Sequence, residues 1–387
     1  MAAAFHEECG GHFSVVHCCE RGAGLLRVRQ DRSMRILVMG GTWFLGRAVA
    51  QEALARGWQV STFNRGRSGV DLPGVEAFRG DRTVAQDLAG LAAAGPWDAV
   101  VDTSSSALAP CSVLAGARAL EPVARRYIYV STVNAYRGWP DDPLTEESEL
   151  LDGPPDADAD YGRQPKSWDG PDLHYGRQKA GAERAVWEAF GADRVAVLRP
   201  GVILGPGEYV GRLPWWLRRA ERGGAILAPG QPAKGIQPVD VRDAAIFALD
   251  QATVSGGGAY NVTAPIGRET MGGFLDKCLE VTGRRGHLVW AADDLLIEHG
   301  VRQWTELPLW RTHRGVWNIG SDRAQAAGLV CRRLAETVEA TWAWLHQGGI
   351  PVQHPRWSEH GIAREKEAAV LAAAGGSGVS AVEGEVC

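Results

Sequence analysis

From Met34 to about Pro200, short apolar runs alternate with stretches of helical period, the pattern of a parallel sheet covered by helices on both faces. The first run, Met34-Arg35-Ile36-Leu37-Val38-Met39, passes directly into a glycine turn and then an amphipathic helix through Arg56. Strands are predicted at 35–39, 58–63, 75–79, 98–102, 126–131 and 194–198, and a helix from Tyr175 to about Phe190. After Pro200, glycine and proline punctuate the pattern. Tryptophans gather there, at Trp215, Trp216, Trp290, Trp304, Trp310 and Trp317. Near Ile236 to Ala252 an extended Ile-Gln-Pro-Val leads into a helical segment from Val241, which returns the chain to the sheet.

The expected class is α/β: a doubly wound parallel sheet with a smaller C-terminal substrate lobe over its carboxyl edge. Residues 34–200 form the sheet domain, with a return segment at about 236–262; 201–235 and 263–350 form the lobe. Residues 1–33 show no sustained period and are expected to be a disordered leader. That leader carries His6, Cys9, His12, His17, Cys18 and Cys19, but their spacing matches no paired zinc pattern, so no metal is expected. From residue 351 onward a mostly disordered tail is expected, with a helix at about Ala363 to Ala373 ahead of a glycine- and serine-rich end.

Composition narrows the partners. A formal charge of −5 over 387 residues leaves no basic field to hold a nucleic-acid backbone. The seven cysteines are odd in number and scattered, which suits a reducing compartment. No apolar run approaches the roughly 18–20 residues that cross a bilayer. The expectation is a soluble cytoplasmic protein whose partner is a small molecule.

The turn after the first strand reads Gly40-Gly41-Thr42-Trp43-Phe44-Leu45-Gly46. Glycine at 40 permits a tight turn, glycine at 46 lets helix and strand approach, and the free amides of the helix N-terminus suit a pyrophosphate. Trp43 stands where a third glycine is expected. At the end of the second strand, roughly 20 residues on as the dinucleotide pattern requires, the chain reads Asn64-Arg65-Gly66-Arg67. No carboxylate is present there to accept from a ribose 2′-hydroxyl. Two arginines stand in its place, and guanidinium forks suit a 2′-phosphate. NADP(H) is therefore favoured over NAD(H), and the sheet is read as Rossmann-type. After the third strand, Gly80-Asp81-Arg82 adds Asp81 as an acceptor for an adenine amino group, with Arg82 beside it.

Tyr175-Gly176-Arg177-Gln178-Lys179 opens the long helix, so phenol and amine are one turn apart on one face. A phenol near pKa 10 is a poor acid or base at neutral pH, and a neighbouring ammonium favours its ionised form. Lys179 also has donors for the nicotinamide ribose. A hydroxyl from a neighbouring strand end completes the set, and Tyr127-Ile128-Tyr129-Val130-Ser131-Thr132 supplies Thr132, with Ser131 as the adjacent alternative.

With these motifs the chain resembles, over residues 34 to about 345, the extended short-chain dehydrogenase/reductases, the NAD-dependent epimerase/dehydratase family. It is most similar to atypical members whose turn reads Gly-Gly-Thr-x-Phe-Leu-Gly. The resemblance implies that Gly40 and Gly46 serve the pyrophosphate, Thr132 is the catalytic hydroxyl, and Tyr175 with Lys179 is the acid/base pair. Leu198-Arg199-Pro200-Gly201-Val202 resembles the family segment beside the nicotinamide, so Pro200, Gly201 and Val202 are implied contacts. Gln237 to Asp243 resembles a further segment near the substrate lobe.

The implied activity is hydride exchange with a carbonyl or alcohol, with a sugar-nucleotide epimerase lacking net redox as the alternative. Sugar dehydratases of the family carry an acid and a base directly after the threonine; Val133 and Asn134 stand here, so dehydration is not expected. Relatives with this turn include chloroplast RNA-binding proteins, which gives a non-catalytic reading as a third possibility. A homodimer is implied by resemblance alone.

Several other signals read as structure. Tyr161-Gly162-Arg163-Gln164-Pro165 copies the catalytic motif but places proline where lysine belongs. Asp156, Asp158 and Asp160 alternate like a calcium loop but lack its glycine and closing glutamate. Trp215 and Trp216 are candidates for lining a substrate cavity, and His174 for a proton relay.

Overall fold

A computed structural model describes residues 33–165, 167, 172–349 and 360–377. All of the expected leader (1–33) but Ser33, and the end of the tail, lie outside the described residues. Seven strands form the main sheet: β1 (Arg35–Met39), β2 (Gln59–Asn64), β3 (Glu76–Arg79), β4 (Ala99–Asp102), β5 (Tyr127–Val130), β6 (Val195–Pro200) and β11 (Gly258–Val262). Their order is β11-β6-β5-β4-β1-β2-β3, and every neighbouring pair is parallel. Strand order reverses between β1 and β4, so a crevice opens at the carboxyl ends of those two strands.

Alternation along β1 shows why both faces are covered. Ile36 and Val38 join one core with Val49, Ala50 and Ala53 of α1 (Phe44–Ala55) and Phe247 of α6 (Val241–Thr253). Leu37 and Met39 join the other, with Leu91 of α2 (Ala85–Ala93), Val113 and Ala117 of α3 (Pro110–Leu120), and Ala182 and Val186 of α4 (His174–Phe190). Strands buried on both faces, as β1, β4, β5 and β6 are, read as near-continuous apolar runs; with β2 and β3, six of the seven are visible in the sequence.

The seventh was missed. Gly258-Ala-Tyr-Asn-Val is short and mixed, and it becomes a strand by pairing with β6 from Ala196 to Pro200. The extended stretch before α6 instead pairs outside the main sheet. There β9 (Gly235–Ile236) meets β12 (Glu269–Thr270), and β10 (Val239–Asp240) meets β7 (Ile203–Leu204).

A second core gathers β8 (Gly224–Pro229) and its parallel partner β13 (Gly286–Ala291) with α5 (Arg212–Arg222), α7 (Met271–Val281), α8 (Asp293–Glu298) and α10 (Leu334–His346). Short α9 (Asp322–Ala326) instead places Ala324 in the sheet core. The helix expected within the tail is α11 (Arg364–Ser377); it does not stand free, since Val370 is fully buried in this core. Glu367 pairs there with buried Arg219 at 2.8 Å. Among the described residues no helix is long and apolar enough to cross a membrane.

Candidate active site

The crevice is built first by the glycine turn. Gly40 has φ +109°, which side chains with a Cβ rarely adopt. A Cβ on Gly46 would lie 2.5 Å from Thr103 Oγ1 and 2.8 Å from the Gly41 nitrogen, so only glycine lets α1 sit this close to the turn. Trp43 heads α1 without a side-chain cap, which leaves the first-turn amides for an outside acceptor. The cradle fits a pyrophosphate on both counts. Thr42 is buried, Leu45 packs into the α1 side of the sheet core, and Phe44 takes a left-handed φ of 31°. Tyr209, from the second lobe, stacks on Trp43 at 4.4 Å and meets Phe44 edge-on at 6.0 Å.

At the end of β2, Asn64 works as a fastener. Its amide donates to Gly40 O and Asp71, both at 3.2 Å, and its oxygen accepts from Gly66 N at 2.8 Å. Arg65 and Arg67 are exposed, with Arg65 3.7 Å from Asp81. The Asp81 carboxylate accepts from the Thr83 amide and hydroxyl, and these bonds lower its pKa.

Arg82 turns to the β4 strand end. Its guanidinium is buried and grips Asp102 at 2.7 and 2.8 Å, with Ser104 at 2.9 Å. Burial opposes its charge, but the Asp102 carboxylate outweighs that penalty and raises its pKa. Its position beside Asp81 in sequence gave no sign of a partner on β4.

Thr132 follows β5 and caps a short 3-10 turn, Val133–Ala135, by accepting from Asn134 N at 3.2 Å. Helix α4 abuts this turn because residue 176 is glycine: a Cβ there would lie 2.2 Å from Asn134 O. Tyr175 therefore sits in the first turn of α4 next to the Thr132 turn, with 38 % of its surface exposed.

Lys179, one turn further, is buried. Its ammonium donates to Tyr129 Oη at 2.7 Å, Val130 O at 2.7 Å and Ser105 Oγ at 3.0 Å. Burial pulls its pKa down to about 7, against the pull of Asp102 and Glu183. Sequence spacing placed phenol and amine on one helix, but the amine's hydrogen bonds run to β5 and to the loop after β4.

The two hydroxyl alternatives have different partners: Thr132 meets the amide of Asn134, and Ser131 meets Glu183. Ser131 is buried and donates to the buried Glu183 carboxylate. Glu183 in turn holds Arg199, whose guanidinium reaches Tyr136 Oη at 2.8 Å, and Tyr136 donates to Asn261 at 2.8 Å. None of this network was anticipated. Glu183 extends the Tyr175 and Lys179 spacing by another four residues, a signal that was present and unread.

The remaining candidates have the following surroundings. Trp216 is core, donating from Nε1 to Pro308 O at 2.8 Å, and Trp215 packs edge-on against it at 4.7 Å. His174 contacts Ala159 O at 2.9 Å, and Tyr161 donates to Asp152 at 2.7 Å outside the helix. Among the described residues no cluster of metal-ligand types forms. Pro200 ends β6, the Gly201 amide donates to Val262 O at 3.4 Å, and Val202 is buried in the second lobe's core.

A doubly wound sheet with a glycine turn at its switch point, and a Tyr-Lys helix laid beside it, defines the short-chain dehydrogenase/reductase type of NAD(P)-dependent enzyme. Residues 36–263, more than half of the chain, match the model of the NAD dependent epimerase/dehydratase family, and the chain belongs to that family. A 66-residue stretch is 39% identical to human sterol-4-alpha-carboxylate 3-dehydrogenase, decarboxylating; it covers 17% of each protein. Among solved structures, the Bordetella bronchiseptica enzyme WbmG, in complex with NAD and UDP, superposes with TM-score 0.60 at 16% identity, over 84% of this chain and 98% of that one. UDP-glucose 4-epimerase from Thermotoga maritima, with UDP-glucose, superposes with TM-score 0.59 at 17% identity, over 81% and 99%. A putative epimerase from Burkholderia cenocepacia gives 0.59 at 19%, over 81% and 99%. At these identities the structures report the shared fold.

Proposed function

We propose that this chain is an NADP(H)-dependent oxidoreductase acting on a carbonyl or alcohol of a small molecule, with Thr132, Tyr175 and Lys179 as its working residues. The observation that carries the reading is the contact of α4 with the Thr132 turn through Gly176, beside a glycine turn shaped for a pyrophosphate. The bound coenzyme would supply hydride exchange. Gly40, Gly46 and the first amides of α1 hold its pyrophosphate; Arg65 and Arg67, exposed past β2, meet a 2′-phosphate. Thr132 Oγ1 holds the reacting oxygen, and the Tyr175 phenol gives or takes the proton there. Lys179 anchors the floor between them and exchanges one of its donors for a ribose hydroxyl.

A second reading, an epimerase that oxidises and re-reduces one substrate, is favoured by the family and uses the same residues. Net coenzyme consumption separates the two. The test is a panel of carbonyl compounds and sugar nucleotides, monitored by absorbance of the reduced coenzyme and by product analysis, with NADPH and NADH compared. Tyr175→Phe is expected to lose about a hundredfold or more in rate, as removal of a general acid does. Unchanged turnover in that variant rejects Tyr175 as proton donor, and equal use of both coenzymes rejects the roles of Arg65 and Arg67.

A further inference from the structure

Trp43 stands where the turn pattern expects a glycine, and its ring meets Tyr209 of the second lobe, with centroids 4.4 Å apart and planes tilted by 35°. Tyr209 also meets Phe44 edge-on at 6.0 Å, and a Cβ on Gly207 would lie 3.9 Å from the Phe44 ring. Phe44 is the first residue of α1 and holds φ 31°, a left-handed conformation that residues with a side chain rarely keep unless their surroundings impose it. The second lobe thus packs on the two residues that open α1, where the free amides for a pyrophosphate begin.

Tyr209 is not carried on a loose loop. Its segment leaves β7, which pairs with β10, and enters α5, whose Leu213, Trp216 and Leu217 are buried in the second core. Gly207 and Gly211, on either side of Tyr209, take φ of +84° and +91°, so the backbone turns tightly where few other residues would fit. Glu208, fully buried, fastens the segment to α5 by accepting from the amides of Arg212 and Leu213, both at 3.0 Å. Tyr209 therefore moves with the lobe, while the Trp43 ring moves with the turn. The loop after β2 also lies against the turn, with Arg47 donating to Val70 O at 3.0 Å, but it belongs to the sheet domain and travels with it. Parting the two rings means parting the lobe from the cradle.

We propose that the Trp43–Tyr209 stack is a clasp between the lobes that retains the coenzyme, with Tyr209 a positioning residue that acts through Trp43 and Phe44 on the amides of the cradle. The proposal rests on the reading that the glycine turn receives a coenzyme. Aromatic pairs contribute beyond the area they bury, and the loss of such a contact falls mostly on the dissociation rate. Tyr209 thereby sets how long the coenzyme stays, and the second lobe is held closed for that time.

The test uses the full chain without substrate or turnover. NADPH and NADH are bound to the parent and to each variant, and release is followed by coenzyme fluorescence after a chase with excess oxidised coenzyme. In Tyr209→Ala release should speed up about fivefold or more, with the association rate little changed. Tyr209→Phe, which keeps the ring, should release as the parent does. Trp43→Gly, which restores the glycine of the pattern, should speed release as Tyr209→Ala does, and the double variant should be no faster than either single one, because both remove the same contact. Urea unfolding without coenzyme checks the fold of each variant; should Tyr209→Ala not fold, Tyr209→Leu, which keeps bulk without a ring, takes its place. Unchanged release in either single variant, fast release in Tyr209→Phe, or independent effects that multiply in the double variant overturns the clasp. A parent that binds neither coenzyme overturns the coenzyme reading and the clasp together. The Tyr175→Phe turnover test does not involve these rates, so failure of the catalytic reading and failure of the clasp give different results.

Discussion

Lys179 shows how far burial can move a single group. Its amine falls from 10.5 to about 7 because desolvation outweighs the attraction of Asp102 and Glu183. Between pH 7 and 10.5 the unfolded chain carries the extra proton, so this residue makes the fold more stable as pH rises through that window and least stable below it. The slope from one such group is at most about 1.4 kcal/mol per pH unit. Lys179→Met should lack that contribution: urea midpoints measured at pH 7 and pH 9 should rise more in the parent than in the variant. A parallel pH response in both would show that the amine titrates near its ordinary value. The residue and its spacing from Tyr175 were legible in the sequence. Its hydrogen-bond partners, Ser105, Tyr129 and Val130, lie 49 to 74 positions away and were not.

At the scale of elements, the site depends on how closely α4 approaches the turn after β5. Gly176 sets that distance, since its missing Cβ is what clears Asn134 O. Gly176→Ala should push the start of α4 away and carry the Tyr175 phenol with it. Displacement of about 1 Å at a reacting group can cost roughly a hundredfold. Turnover should fall to that extent while coenzyme binding and the far-ultraviolet circular dichroism spectrum stay near the parent's; full activity would show that the turn yields instead. The contrast with Arg82 is instructive. Arg82, in the loop between β3 and α2, is claimed by Asp102 of β4, and a neighbour across the sheet is not written beside it in the chain. β11 was missed for the same reason, because its register with β6 makes it a strand more than its own composition does.

For the whole molecule, the balance of charge bears on partners. With a net charge of −5 and buried arginines largely spent on internal acceptors, little positive field is left to follow a phosphate backbone. A gel shift with RNA should therefore show no tight complex whose affinity falls steeply with salt. Such a complex would revive a binding role for the fold.

What the sequence by itself determined is what contiguous residues encode: apolar runs with their periods, the glycine turn from Gly40 to Gly46, and the one-turn spacing of Tyr175 and Lys179. Only the tertiary structure decided that Ser131 bonds to Glu183 and that the Arg82 guanidinium grips Asp102 of β4. Those outcomes turn on which charged groups meet across strands and lobes, and such meetings are set by packing between segments far apart in the chain.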